Sequence, residues 1–131
     1  MANLTRVPRN VAAVTETKPH MRFYHAGAEL EAGMPCELQT DGSIIPMTAD
    51  GVFVGVALGP AVVGEAVSVL WDGSIEGYNL SALAYGAPVY SSATAGAVAD
   101  ATSAGAKVIG VVLPLTDRPR TKVLYIQARP F

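Results

Sequence analysis

At 131 residues the chain is one domain's worth, long enough to bury roughly two-thirds of its unfolded surface around a single core without a disulfide framework. Half of the residues are apolar, only 15% are charged, and small residues far outnumber aromatics, so the surface is poor in charge and part of it is expected to meet other protein. The lone Cys36 excludes an intramolecular disulfide, no run reaches the ~18 apolar residues of a membrane span, and the cations form no Lys/Arg run interleaved with stacking aromatics, which argues against nucleic acid.

Residues 1–20 read as an extended N-terminal arm. Pro8 and Pro19 hold their predecessors extended, polar residues prevail, and no amphipathic period survives. The segment is expected to be disordered in isolation or laid across a partner, so a chain without it is expected to keep its fold. Arg6, Arg9, Lys18 and Arg22 against Glu16 make residues 1–25 net +3. Between 26 and 115 nine acids face only Lys107, and the C-terminal stretch returns to +3 through Arg118, Arg120, Lys122 and Arg129 against Asp117. Basic ends on an acidic body point to contacts with acidic protein, in a neighbouring subunit or a separate partner.

The body, residues 21–131, is read as β throughout. "GMPCELQTDGSIIPM", residues 33–47, is a strand, an Asp-Gly turn and a returning strand. Val52, Val54 and Val56 then alternate with Phe53, Gly55 and Ala57, and Val67 to Trp71 forms the next strand. Asp72-Gly73 is expected to turn a hairpin that returns from Ser74 to Tyr78. Residues 79–86 hold the single expected helical turn, capped by Asn79 and ended by Gly86.

From Gly86 the pattern begins again. "GAPVYSSATAGAVAD" matches the stretch from Gly33, and Val108 to Leu113 matches the strand through Gly55. The offset is 53 at Gly33/Gly86, 54 at Gly42/Gly96 and 55 at Gly55/Gly110, so two single-residue insertions suffice. Residues 64–71 correspond to residues 120–127. Two pseudo-repeats, about 33–71 and 86–128, each give four strands of a compact all-β barrel or sandwich. Strands apolar on both faces need cover on both faces, from the other half or from another subunit. Gly55 and Gly110, inside such strands, mark a bend or a close backbone approach.

Chemistry is sparse. His20 and His25 are five apart, an odd separation that puts them on opposite faces of an extended strand and disfavours joint metal ligation. Asp41, Asp50, Asp72 and Asp100 lie in or beside expected turns, where Asp serves the backbone. No nucleophile elbow, phosphate loop, zinc helix or paired-cysteine motif is present. Trp71 and Tyr78, facing each other across the expected hairpin, offer a carbohydrate platform or an ordinary cross-strand pair.

The combination of A-G-x-x-L-x-A-G from Ala26, G-A-P-V-Y-x-S-A-T-A-G-A from Gly86 and G-V-V-L from Gly110 resembles the small head decoration, or capsid cement, proteins of tailed bacteriophages, over residues 26 to about 128. The resemblance implies a β-rich, commonly trimeric body on the outside of the virion. It also implies a basic arm that reaches over the shell, the major capsid protein as partner, and no cofactor or catalytic motif. On that reading Arg6, Arg9, Lys18 and Arg22 bind capsid, Arg118 and Arg120 lie at a subunit or capsid contact, and the chain is made in the host cytoplasm. It expects neither nucleic acid nor membrane as a partner. A carbohydrate-binding β module and a trimeric β nucleotide hydrolase are the alternatives, the latter lacking its expected Asp motif and Arg-Gly partner.

Overall fold

The computed structural model describes residues 3–14, 19–102, 105–115 and 121–128. Among these residues a 3₁₀ turn at Pro8–Asn10 is followed by ten strands: β1 (Ala12–Ala13), β2 (His20–His25), β3 (Pro35–Leu38), β4 (Ile44–Pro46), β5 (Phe53–Ala57), β6 (Ala66–Glu76), β7 (Pro88–Ser91), β8 (Val98–Ala99), β9 (Val108–Pro114) and β10 (Lys122–Gln127). The protein is all-β, one antiparallel sheet in the order β4-β3-β5-β6-β10-β9-β7-β8, curled into a half-barrel.

The long strand β6 organises the sheet. β2 and β5 both pair with Leu70, and β2 and β10 both pair with Asp72, so β5 and β10 share one edge of β6 while β1 and β2 run along the other. The expected hairpin at Asp72-Gly73 is therefore not formed; the dipeptide lies mid-strand. Gly73 has φ +153, and a Cβ there would come within 3.0 Å of the Pro19 Cα, so the glycine lets the incoming N-terminal chain pass close by. The expected helical turn at 79–86 is likewise absent. Asn79 Oδ1 accepts from the Ser81 N–H and hydroxyl, an Asx turn, and Leu83 N–H donates to Leu80 C=O.

Positions matched at offsets of 53 to 55 make matching backbone bonds. Gly33 N–H donates to Ala57 C=O and Gly86 N–H to Val112 C=O, each at 2.8 Å; Ala57 N–H donates to Met34 C=O and Val112 N–H to Ala87 C=O. The pairing of β3 with β5 shifts between Cys36 and Glu37, and that of β7 with β9 between Val89 and Tyr90. A Cβ on Gly55 would meet the Leu70 carbonyl oxygen at 2.3 Å, and one on Gly110 the Tyr125 carbonyl oxygen at 2.5 Å, so both glycines are there because a neighbouring backbone leaves no room for a side chain.

Two apolar clusters result. The larger joins Phe53, Val56, Leu70, Ile75, Val89, Val98, Ile109, Val112, Leu124 and Ile126; the smaller joins Leu30, Cys36, Ile44, Val54, Ala57, Val67 and Val69. β5 lies between them and is buried at every residue, with Phe53 and Val56 facing one and Val54 and Ala57 the other. The second cover expected for an apolar strand comes, at β5, from the same chain.

The N-terminal segment departs from its expectation. Residues 3–14 are attached to their own body: Leu4 N–H donates to Val98 C=O, Val7 N–H to Gly77 C=O, Asn79 N–H to Thr5 C=O and Val14 N–H to Ser74 C=O. Val11 is only 8% exposed and belongs to the larger cluster, with Leu4 and Ala13 against it. The N-terminal chain thus meets both outer strands of the sheet, β8 through Asn3 and Leu4, and β4 through Ala26 and Gly27. Backbone pairing, rather than an amphipathic face, holds it, which is why its polar sequence gave no sign of docking.

Candidate binding site along strand β2

Of the residues expected to touch a partner, Lys18, Arg118 and Arg120 lie outside the described residues. The other three do not form one patch. Arg6 turns inward, its side chain 12% exposed; one terminal nitrogen donates to Gly96 C=O at 3.0 Å and the other pairs with Glu31 Oε1 at 3.3 Å. Its Nε, packed against Gly33, is buried without a hydrogen-bond partner. This guanidinium ties Glu31, ahead of β3, to Gly96 in the β7–β8 loop, and it leaves little of the Arg6 side chain exposed for the capsid contact expected of it.

Tyr78 and Cys36 share that interior. The Tyr78 hydroxyl donates to Gly33 C=O, and burial pushes its pKa up, partly opposed by the Arg6 charge. Burial pushes the Cys36 thiol up to about 12, against smaller lowering effects of a backbone hydrogen bond at Ala57 and of Arg6. Its Sγ–H donates to Met34 C=O, as befits a structural thiol. Arg9 stays exposed on the 3₁₀ turn, where it rims a cavity of about 630 Å³ with Asn10, Glu76 and Asn79.

Arg22 is the expected site residue that the fold sets in a distinctive place. It lies exposed on β2 with its guanidinium carbon 5.7 Å from the centre of the Tyr24 ring. Beside it Phe23 is 74% and Met21 52% exposed, an unusual pair of large apolar side chains to leave in water on one strand. His20 stacks on Trp71 with ring centres 5.2 Å apart. A cavity of about 700 Å³ opens here, walled by Arg22, Phe23, Tyr24 and His25, by Leu38 and Gly42 from the β3–β4 hairpin, and by Val54 and Trp71.

This site escaped the sequence reading. Its signal is the alternation of Met21 and Phe23 in "HMRFYH", a short apolar stripe flanked by titratable residues that sits on the boundary between arm and body. The carbohydrate platform also changes: with β6 continuous, Trp71 lines the β2 cavity while Tyr78 is turned inward to Gly33. His20 and His25 stand at the two ends of β2, and among the described residues no group of three or more His, Cys, Asp or Glu side chains is placed to hold a metal ion. Asp41 serves its turn, accepting from the Ser43 N–H and hydroxyl, which holds its carboxyl below the usual range. No helix among the described residues is long and apolar enough to cross a membrane.

No protein-family model matches the chain, and no curated protein matches it.

Proposed function

We propose that the chain is a virion structural protein that binds the outer surface of a bacteriophage capsid and stabilises it by bridging neighbouring major capsid subunits, acting as a homotrimer and without catalysis. The observation that carries this reading is β2: an exposed strand presenting Met21, Arg22 and Phe23 beside an aromatic-lined cavity. Burying one such aromatic side chain contributes roughly 1.5–3 kcal/mol. Several copies engaged at once turn modest contacts into firm attachment, so cement activity needs a sticky face and no reactive centre. The motifs from Ala26, Gly86 and Gly110 supply the particular class.

Co-sedimentation with purified empty heads tests it. The wild-type chain is expected to pellet with heads, and Phe23→Ser with Arg22→Glu to lose about 100-fold in apparent affinity while keeping its far-ultraviolet circular dichroism. Equal pelleting of the double variant removes β2 from the interface, and a wild-type chain indifferent to heads removes the reading itself. Trp71 in the cavity wall keeps a carbohydrate module as the second reading. It requires glycan binding that disappears in Trp71→Ala.

A further inference from the structure

We infer that the open edge of β2 receives an extended acidic peptide strand, which fills the cleft between β2 and the β3–β4 hairpin. The inference rests on the binding face assigned above and names the chemistry of its partner. Backbone geometry comes first. Ala26 N–H donates to Glu65 C=O on the β6 side, and the next residue, Gly27, donates to Ile44 C=O on the β4 side. Alternation along an antiparallel strand then turns the N–H and C=O groups of Met21, Phe23 and His25 to the β4 side as well. β2 pairs with β6 alone, and these outward groups have no backbone partner among the described residues. Past β2, Ala26 and Gly27 meet Ile44 at the start of β4; from His25 backwards the cavity separates β2 from Leu38 and Gly42 of the β3–β4 hairpin.

An unpaired row of donors and acceptors beside a cleft is satisfied by another polypeptide strand, which spaces itself about 4.8 Å from its neighbour and makes main-chain bonds regardless of sequence. Side chains then choose the strand. The cavity wall carries Arg22 and His25 and no carboxylate, so it favours a strand bearing Asp or Glu. Alternation gives the pattern: Arg22 on one face of β2 takes a carboxylate, and Met21 and Phe23 on the other take an apolar neighbour. Pairing of β2 with β2 of a second copy is the weaker solution, because the twofold sets a strand with Arg22, His20 and His25 and no acid against its own likeness.

Peptides provide the test, independently of heads. The full chain, labelled with ¹⁵N, is titrated with an acetylated, amidated octapeptide of alternating Glu and Val, with its Lys–Val counterpart, and with the Glu–Val peptide N-methylated at every backbone amide. The Glu–Val peptide is expected to shift the amide signals of Met21, Phe23 and His25. The Lys–Val peptide should bind at least tenfold more weakly and the N-methylated one not measurably. Phe23→Pro removes an outward donor at an edge position that tolerates proline and should abolish binding in a chain that still folds. The inference is overturned if the N-methylated or Lys–Val peptide binds as tightly as the Glu–Val one, if the shifts map away from β2, or if no Glu–Val binding is seen at millimolar peptide. Peptide binding without head binding retains this inference and overturns the proposed function; head binding without peptide binding does the reverse.

Discussion

β5 and β9 make like hydrogen bonds to β3 and β7 or to the residues just before them, with a register shift in each pairing, and differ in what lies over them. β5 is buried on both faces, whereas β9 buries Ile109 and Val112 but leaves Val108 60% and Leu113 36% exposed. Both strands read as apolar throughout, so the pattern that asks for two covers is met inside the chain at β5 and not at β9. The difference teaches that pairing sets where a strand runs and that the fate of its second face depends on which distant segments fold over it. The sharpest way to break the comparison is one substitution in each strand. Val54→Asp places a carboxylate where the side chain is 1% exposed, costing several kcal/mol, a large share of the total stability of such a domain, so no cooperative urea transition should remain. Val108→Asp should stay within about 0.5 kcal/mol of wild type by the same measurement. Equal loss in both would mean that the β9 face is covered after all.

The N-terminal chain packs on the larger cluster that β5 and β9 share, and removing it is the next largest test. Deleting residues 1–11 takes away buried Val11, the Leu4 contact with the core and the bond to Val98 on β8. The expected cost is roughly 4 kcal/mol, seen as a lower urea midpoint. The sequence reading expects no loss of fold, so a midpoint unchanged by the deletion would restore the detached arm and remove the docking of residues 3–14.

What was legible in the sequence follows from range. Strands β3, β4, β5, β7 and β9 announce themselves through β-branched alternation and glycine-marked turns, and the all-β class with them. Asp72-Gly73 misled because the dipeptide is the same whether it turns a hairpin or leaves space beside a straight strand, and only the position of Pro19 decides which. Residues 3–14 hid because anchors at Leu4 and Val11, separated by a 3₁₀ turn, produce no period. Arg6 looked like surface charge because nothing local shows that Gly33, Glu31 and Gly96 converge on it. The β2 site was invisible for the same reason: an exposed Phe23 becomes informative only once its strand is seen, among the described residues, to pair with β6 alone.

Gly55 and Gly110 sharpen the comparison at single-atom scale. Each is packed against a backbone carbonyl that a methyl group would strike, but Gly55 also sits at φ +137, where an L side chain is strained in any surroundings. Gly55→Ala should therefore cost about 3 kcal/mol and Gly110→Ala about 1–2 kcal/mol in urea unfolding, the gap measuring the backbone strain. Equal costs would show that the close carbonyl alone decides at both places.

The smallest expected effect compares Cys36 with Val89, matched and equally buried. The folded thiol, at about 12, lies above its ordinary value of 9.0, so as pH rises the unfolded chain loses its proton first. The stability the thiol contributes is complete below pH 9 and drains away as pH climbs toward 12. Between pH 8 and pH 10 this amounts to roughly 1 kcal/mol. Cys36→Val installs the residue the second half already carries, at a packing cost near 1 kcal/mol that does not vary with pH. Tyr78, raised mainly by burial and least by Cys36, stays above its ordinary 10.0 in both chains, so below pH 10 the difference between wild type and variant is chiefly that of the thiol. Urea midpoints that fall in parallel for the two chains from pH 8 to pH 10 would show that Cys36 ionises as easily folded as unfolded, and so that the smaller cluster admits water where the larger does not.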